Sequence, residues 1–119
     1  MKESILRDKS KAFAIRIIKL YKFLLEEKKE FVISKQILRC GTSIGANFAE
    51  AIYGVSEADF MNKLSIAQKE ASETIYWLEL LYRTKYIDEP SFKSLSSKCS
   101  SLRVMLISSC KTAKQNLDK

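Results

Sequence analysis

A chain of 119 residues with one proline and three glycines has little material for tight turns, and so little for a sheet of short strands. Long helices joined by short connections are what remains, and the apolar residues agree. Leu6, Phe13, Ile17, Leu20 and Leu24 recur at helical spacing, with Ile5, Ala12 and Phe23 widening the stripe; they predict a helix over about Ser4–Lys29. Phe31-Val32-Ile33 breaks it. Ser34 is placed to cap a second helix over about Lys35–Tyr53, which Gly54 closes. Ser56 and Asp59 open a third helix that runs to about Lys85. Asp88-Glu89-Pro90 stops it and starts a fourth, to about Asn116, whose core positions Phe92, Leu95, Cys99, Leu102, Leu106 and Ala113 follow a 3-4 spacing. Short connections make sequential neighbours antiparallel. The expected fold is therefore all-α, a single up-down-up-down four-helix bundle over residues 1–119.

The chemistry available to such a bundle is narrow. There is no histidine, which removes the usual general base, the Ser-His and Cys-His nucleophile pairs and most zinc sites. Glu70 and Glu73 stand i, i+3, as in di-metal bundles, but the Glu-x-x-His pairs those sites need are absent. No phosphate-binding glycine loop is present. The expectation is a protein without catalytic residues, metal or cofactor. Cys40, Cys99 and Cys110 are far apart, odd in number and set in apolar helical patterns, which suits buried thiols and a reducing compartment. The charged N-terminus does not read as a signal peptide, and no apolar run approaches the roughly 20 residues of a membrane span. A cytoplasmic protein with no membrane partner is expected.

Function should then lie in surfaces, and the charge is unevenly spread over them. The net charge is +7. Residues 1–35 hold ten Lys and Arg against five Asp and Glu, residues 36–89 five against eight, and residues 90–119 six against one. The basic character belongs to the first and last helices, which are neighbours in an up-down bundle. Arg7, Lys11, Lys22 and Lys29 fall within an arc of about 60° on helix 1, with Lys19 beside them. Such a stripe is either a solvated lysine face or a contact for phosphates. No aromatic residues interleave with it, so backbone contact rather than base stacking is the mode it fits.

Helix 2 has almost no ordinary solvated face. Gln36, Arg39, Ser43, Asn47 and Glu50 form one polar stripe, and Ile37, Cys40, Ile44, Phe48, Ile52 and Val55 an apolar one. The remaining face is small: Gly41, Thr42, Gly45, Ala46 and Ala49. Two interior glycines cost about 1 kcal/mol each relative to alanine. Close approach of another backbone would offset that, and helix 2 is expected to be enclosed on several sides, by its own bundle and by a second subunit. Gln36, Arg39 and Asn47 could line a ligand or nucleic-acid surface, or they could form a hydrogen-bonded network with Glu70 and Glu73 of helix 3; the second reading is favoured because half-buried charges need partners. Helix 3 has its own apolar face through Leu64, Ile66, Ala67, Ile75, Trp77, Leu78 and Leu81, with Trp77 as a core or interface anchor.

Residues 34–51, SKQILRCGTSIGANFAEA, and 59–81, DFMNKLSIAQKEASETIYWLELL, resemble the 23S rRNA intervening-sequence family of four-helix bundles. Gln36, Arg39, Ser43, Asn47, Ala49 and Glu50 match that family's helix 2 signature; Ala67, Glu70, Glu73, Trp77 and Leu78 match a helix 3 variant of one branch. The glycine that often follows Glu50-Ala51 in the family comes later here, as Gly54. The resemblance implies a bacterial up-down bundle, often a homopentamer, of poorly defined role. It also implies likeness to the accessory protein of diversity-generating retroelements, a basic pentamer that binds nucleic acid and its reverse transcriptase.

Together these readings predict a homo-oligomeric module that binds RNA or DNA. Arg7, Lys11, Lys19, Lys22, Lys29, Lys111 and Lys114 would meet phosphates, and helix 2 would mediate assembly. The alternative is a protein-interaction scaffold that recruits a partner protein.

Overall fold

The computed structural model describes residues 2–118. They form four helices: α1 (Lys2–Glu26), α2 (Ile33–Ile52), α3 (Glu57–Arg83) and α4 (Glu89–Leu117). No strand occurs among the described residues. The body measures 52 × 22 × 21 Å, one long helix by two in each cross direction. The end of α1, the turn from α3 to α4 and the start of α4 line one groove, while the start of α1, the α2–α3 turn and the end of α4 line another. Successive helices are therefore antiparallel, and the bundle is up-down-up-down. α1 meets α4 as expected, but over a thinner seam than the other three neighbouring pairs.

The core is the predicted stripe on each helix. Leu6, Phe13, Ile17, Leu20 and Leu24 of α1 meet Ile37, Ile44 and Phe48 of α2, Leu64, Ala67, Leu78 and Leu81 of α3, and Leu95, Cys99, Leu102 and Leu106 of α4, all buried. Residues expected to widen these stripes do not all join. Ile5, Ala12 and Phe23 are exposed on α1. Val55 lies beyond the end of α2 and is exposed, because the chain has already turned there. Trp77 is half-buried and packs against the core edge.

The helix ends explain the boundaries, with two corrections. Ser56 caps α3 by accepting the Asp59 N–H at 3.0 Å, and Asp88 caps α4 by accepting the Ser91 N–H at 2.9 Å. Ser34 does not cap α2. It lies inside the helix, buried, its hydroxyl without a partner among the described residues. The cap comes from Glu30, whose buried carboxylate accepts from the N–H groups of Val32 at 2.7 Å, Ile33 at 2.5 Å and Ser34 at 3.3 Å. A carboxylate suits these orphan donors and the positive end of the helix dipole. Gly54 is not the left-handed closer either, since its φ is not positive. It admits the Asp59 carboxylate, which occupies the space a Cβ would need.

Two lysines take the left-handed positions instead, Lys29 at φ 54° and Lys85 at φ 68°. α3 ends in a Schellman arrangement: the Lys85 N–H bonds the Tyr82 carbonyl at 3.0 Å and the Tyr86 N–H bonds the Leu81 carbonyl at 2.9 Å. Glycine is the usual residue at Lys85's position, and an L-residue with a Cβ costs roughly 1–2 kcal/mol there.

Candidate nucleic-acid interface

The polar stripe of α2 resolves into local bonds and one network. The Ser43 hydroxyl donates to the Arg39 carbonyl at 2.6 Å, and the Asn47 amide to the Ser43 carbonyl at 2.8 Å. Glu50 pairs with Lys63 at 3.4 Å, and Gln36 is exposed. Arg39 spans to α3, where its two terminal nitrogens reach Glu70 at 3.1 Å and Glu73 at 2.5 Å. The Trp77 indole N–H donates to the same Glu73 oxygen at 2.9 Å. The Trp77 and Arg39 donors hold the Glu73 carboxyl below the usual carboxylate range, and Glu73 in turn holds the Arg39 guanidinium above its ordinary value. Of the network favoured from the sequence, Arg39 alone reaches Glu70 and Glu73, as a clamp between α2 and α3, while Asn47 bonds within its own helix and Gln36 faces outward.

The small face of α2 is divided. Gly41 is buried against Ile17, and a Cβ on Gly45 would lie 3.1 Å from the Ser10 hydroxyl. The close approach that offsets both glycines is made by α1 of the same chain, the own-bundle part of the expected enclosure. Ala46 and Ala49 stay exposed, with Tyr53 at 86% exposure just past the helix end.

The predicted phosphate contacts fall on separate faces. Arg7, Lys11, Lys19 and Lys22 are exposed along α1, and among the described residues Arg7 pairs only with its neighbour Asp8, at 3.5 Å. Lys29 leaves the stripe, because α1 ends at Glu26 and Lys29 sits in the left-handed turn. Ile15 and Ile18 lie exposed between Lys11 and Lys22, so the stripe is not purely basic. Lys111 and Lys114 are exposed on α4 but lie roughly 140–160° around that helix from Lys98, which faces α1. They do not merge with the α1 set.

Other cations gather instead along the α1–α4 seam. Lys9, Arg16 and Lys98 line a groove of about 240 Å3, and Arg16 crosses it to donate to the Ser94 hydroxyl at 2.8 Å. Lys9 and Arg16 lie on the flank of α1 beside the core stripe, a position that spacing alone marks, but Lys98 joins them only once the two helices are packed.

The family described as 23S rRNA-intervening sequence protein matches residues 2–108. This chain belongs to that family. A solved structure from Bacteroides thetaiotaomicron, a protein of unknown function from the S23 ribosomal protein family, is 57% identical. It covers 93% of this chain and 99% of its own, with a TM-score of 0.92. No curated protein matches.

In this intervening-sequence protein the thiols are part of the core. Cys40 and Cys99 are buried, and burial pushes them up to about 11 and about 12. Cys99 donates to the Ala71 carbonyl at 3.4 Å, while Cys110 is half-buried. Among the described residues no group of three or more His, Cys, Asp or Glu could hold a metal ion, and no helix is long and apolar enough to cross a membrane.

Proposed function

We propose that this protein is a non-catalytic, cytoplasmic, homo-oligomeric module that binds RNA or DNA through the basic face of α1 and its seam with α4. The observation that carries this is how the charges are paired. On α2 and α3 the ion pairs Arg39–Glu70, Arg39–Glu73, Glu50–Lys63 and Glu79–Arg83 engage three of the five cations, and Lys35 and Lys69, which have no ion pair among the described residues, share those helices with six Asp and Glu. On α1 and the flank of α4 that faces it, Lys9, Lys11, Lys19, Lys22 and Lys98 have no ion-pair partner among the described residues, whereas the likewise unpaired Lys111 and Lys114 lie on another face of α4. Unpaired cations on one side of a small body are the electrostatic footprint of a phosphate-binding surface. The likeness to the accessory protein of diversity-generating retroelements that the sequence resemblance implies fits the same reading. The uncharged patch of Ala46, Ala49 and exposed Tyr53 on α2 suits self-association, with a pentamer as the state the resemblance implies.

The triple change Lys9→Glu, Lys11→Glu and Lys22→Glu tests it. Affinity for duplex DNA should fall more than tenfold while the helical circular dichroism is retained. Unchanged affinity would remove this face as the site.

A second reading has its own observation. Ile15, half exposed, and Ile18 lie among the α1 lysines and give that face apolar grip for a partner protein. A scaffold of this kind would keep its partner through nuclease and high salt, whereas phosphate-driven binding weakens steeply with salt.

A further inference from the structure

The end of the bundle where α1 stops and α3 turns into α4 carries an open groove of about 740 Å3, within the roughly 300–1,000 Å3 of small-molecule sites. Four cations line it, Arg16, Lys19, Lys28 and Lys85, together with the aromatic side chains Phe23 and Tyr86. Leu20, Ile87 and Leu95, all buried, also contribute to its lining. Its only carboxylate among the lining residues is Asp88, whose oxygen is already engaged by the Ser91 N–H.

Lysines near the ends of α1 and α3 have an ordinary explanation, because they complement the negative end of a helix dipole. That covers Lys28 and Lys85. It does not cover Arg16 and Lys19, which lie turns away from the end of α1. Nor does it explain why Lys85 keeps a left-handed backbone that glycine would adopt without strain. Phe23 is 40% exposed with the Lys28 ammonium 5.7 Å from its ring centre, so an aromatic face and a cation stand together at the groove edge.

Arg16 lines this groove and also the seam groove with Lys9 and Lys98. The two basic depressions therefore lie side by side with Arg16 between them, an arrangement suited to a chain of phosphates rather than to an isolated anion.

We infer that the groove receives one unpaired nucleotide of a single-stranded nucleic acid, its base against Phe23 and Tyr86 and its phosphate among Arg16, Lys19, Lys28 and Lys85. Stacking on aromatic faces is sequence-tolerant, and the cations hold the backbone beside it. The inference rests on the nucleic-acid reading above and makes it specific: the helical face of α1 takes phosphates of any strand, while this groove requires an unstacked base. It also revises the sequence expectation that stacking plays no part, since the aromatic residues come from α1 and the α3–α4 turn together.

The test is fluorescence anisotropy of the full chain with a labelled twelve-nucleotide oligo(dT) and a labelled twelve-base-pair duplex. The variants are Phe23→Ala and Lys85→Gly; the second relieves its backbone, so misfolding is not an issue. Each should weaken single-strand binding roughly fivefold or more and leave duplex binding within about twofold, outside the groove's reach. Unchanged single-strand affinity, or an equal loss for both probes, would overturn the groove assignment and leave the phosphate surface standing. Wild-type protein that binds the duplex but not oligo(dT) would overturn it in the same way. Wild-type protein that binds neither probe would overturn both readings. Displacement of oligo(dT) by equimolar adenosine 5′-monophosphate would overturn the strand assignment in favour of a free nucleotide.

Discussion

Gly41 of α2 stands so close to Ile17 of α1 that a Cβ there would lie 2.8 Å from the Ile17 Cγ1. No rotamer shift of a core isoleucine relieves that cheaply, because its neighbours are packed. Gly41→Ala should therefore lower stability by roughly 1–3 kcal/mol despite the better helix propensity of alanine. At Gly45 the nearest atom is the buried Ser10 hydroxyl, at 3.1 Å, so a Cβ there asks its neighbour to give by only a few tenths of an ångström. Gly45→Ala should be near neutral. Urea unfolding of the two variants checks the contrast, and equal effects would mean that α1 does not set the helix 2 glycines.

The cap of α2 makes a prediction of opposite sign at two residues four apart. Glu30→Ala removes the acceptor for the first N–H groups of the helix and should cost about 1–2 kcal/mol, as loss of a good cap does. Ser34→Ala removes a buried hydroxyl with no partner among the described residues and should be neutral or stabilising. Thermal unfolding of both variants decides it. A large loss at Ser34 with none at Glu30 would restore the serine as the cap.

Glu73 gives the bundle an acid-sensitive link. Its folded carboxyl titrates below the ordinary value of 4.5, owing first to the Trp77 N–H and then to Arg39. Stability from that shift is complete above the ordinary value and is lost as pH falls through the folded value. Arg39 is half exposed, so the contribution is about 1 kcal/mol or less. Glu73→Gln should flatten part of the acid limb of urea unfolding between pH 7 and pH 3. Only part is affected, because Asp88, held by the Ser91 N–H, and Glu89, beside Lys93, are also depressed. An unchanged acid limb would show that the link is not formed in solution.

The three thiols should separate by reactivity. Burial raises Cys40 and Cys99 and keeps them from reagents, whereas Cys110 is half-buried. A thiol-reactive dye should label one cysteine in the native protein and three in denaturant. Rapid labelling of all three in the native state would contradict the packing of the core.

How much of this was legible follows from the range over which each feature is set. The α4 core from Leu95 to Leu106 could be read because its 3-4 spacing lies within one helix. The Arg39 link to Glu70 and Glu73 was also readable, since half-buried charges of opposite sign on facing helices must meet. Glu30 was not, because its carboxylate folds back across a turn whose shape the local pattern does not state. The glycines signalled close approach within the bundle, but only packing reveals that Ile17 and Ser10 of α1 supply it. The end groove was hidden for the same reason, since Phe23, Lys28, Lys85 and Tyr86 come from separate segments and share no periodicity. Lys111 and Lys114 looked like partners of the α1 cations on charge alone, yet the rotation of α4 carries them to another face.

The central claim is that unpaired cations along α1 and its seam with α4 bind phosphates. Affinity of the purified protein for labelled RNA and duplex DNA, taken across a salt series from about 50 to 200 mM, tests it most directly. Micromolar or tighter binding is expected at low salt, falling linearly on logarithmic axes with a slope that reports several phosphate contacts. No binding at the lowest salt, or binding indifferent to salt, would contradict it.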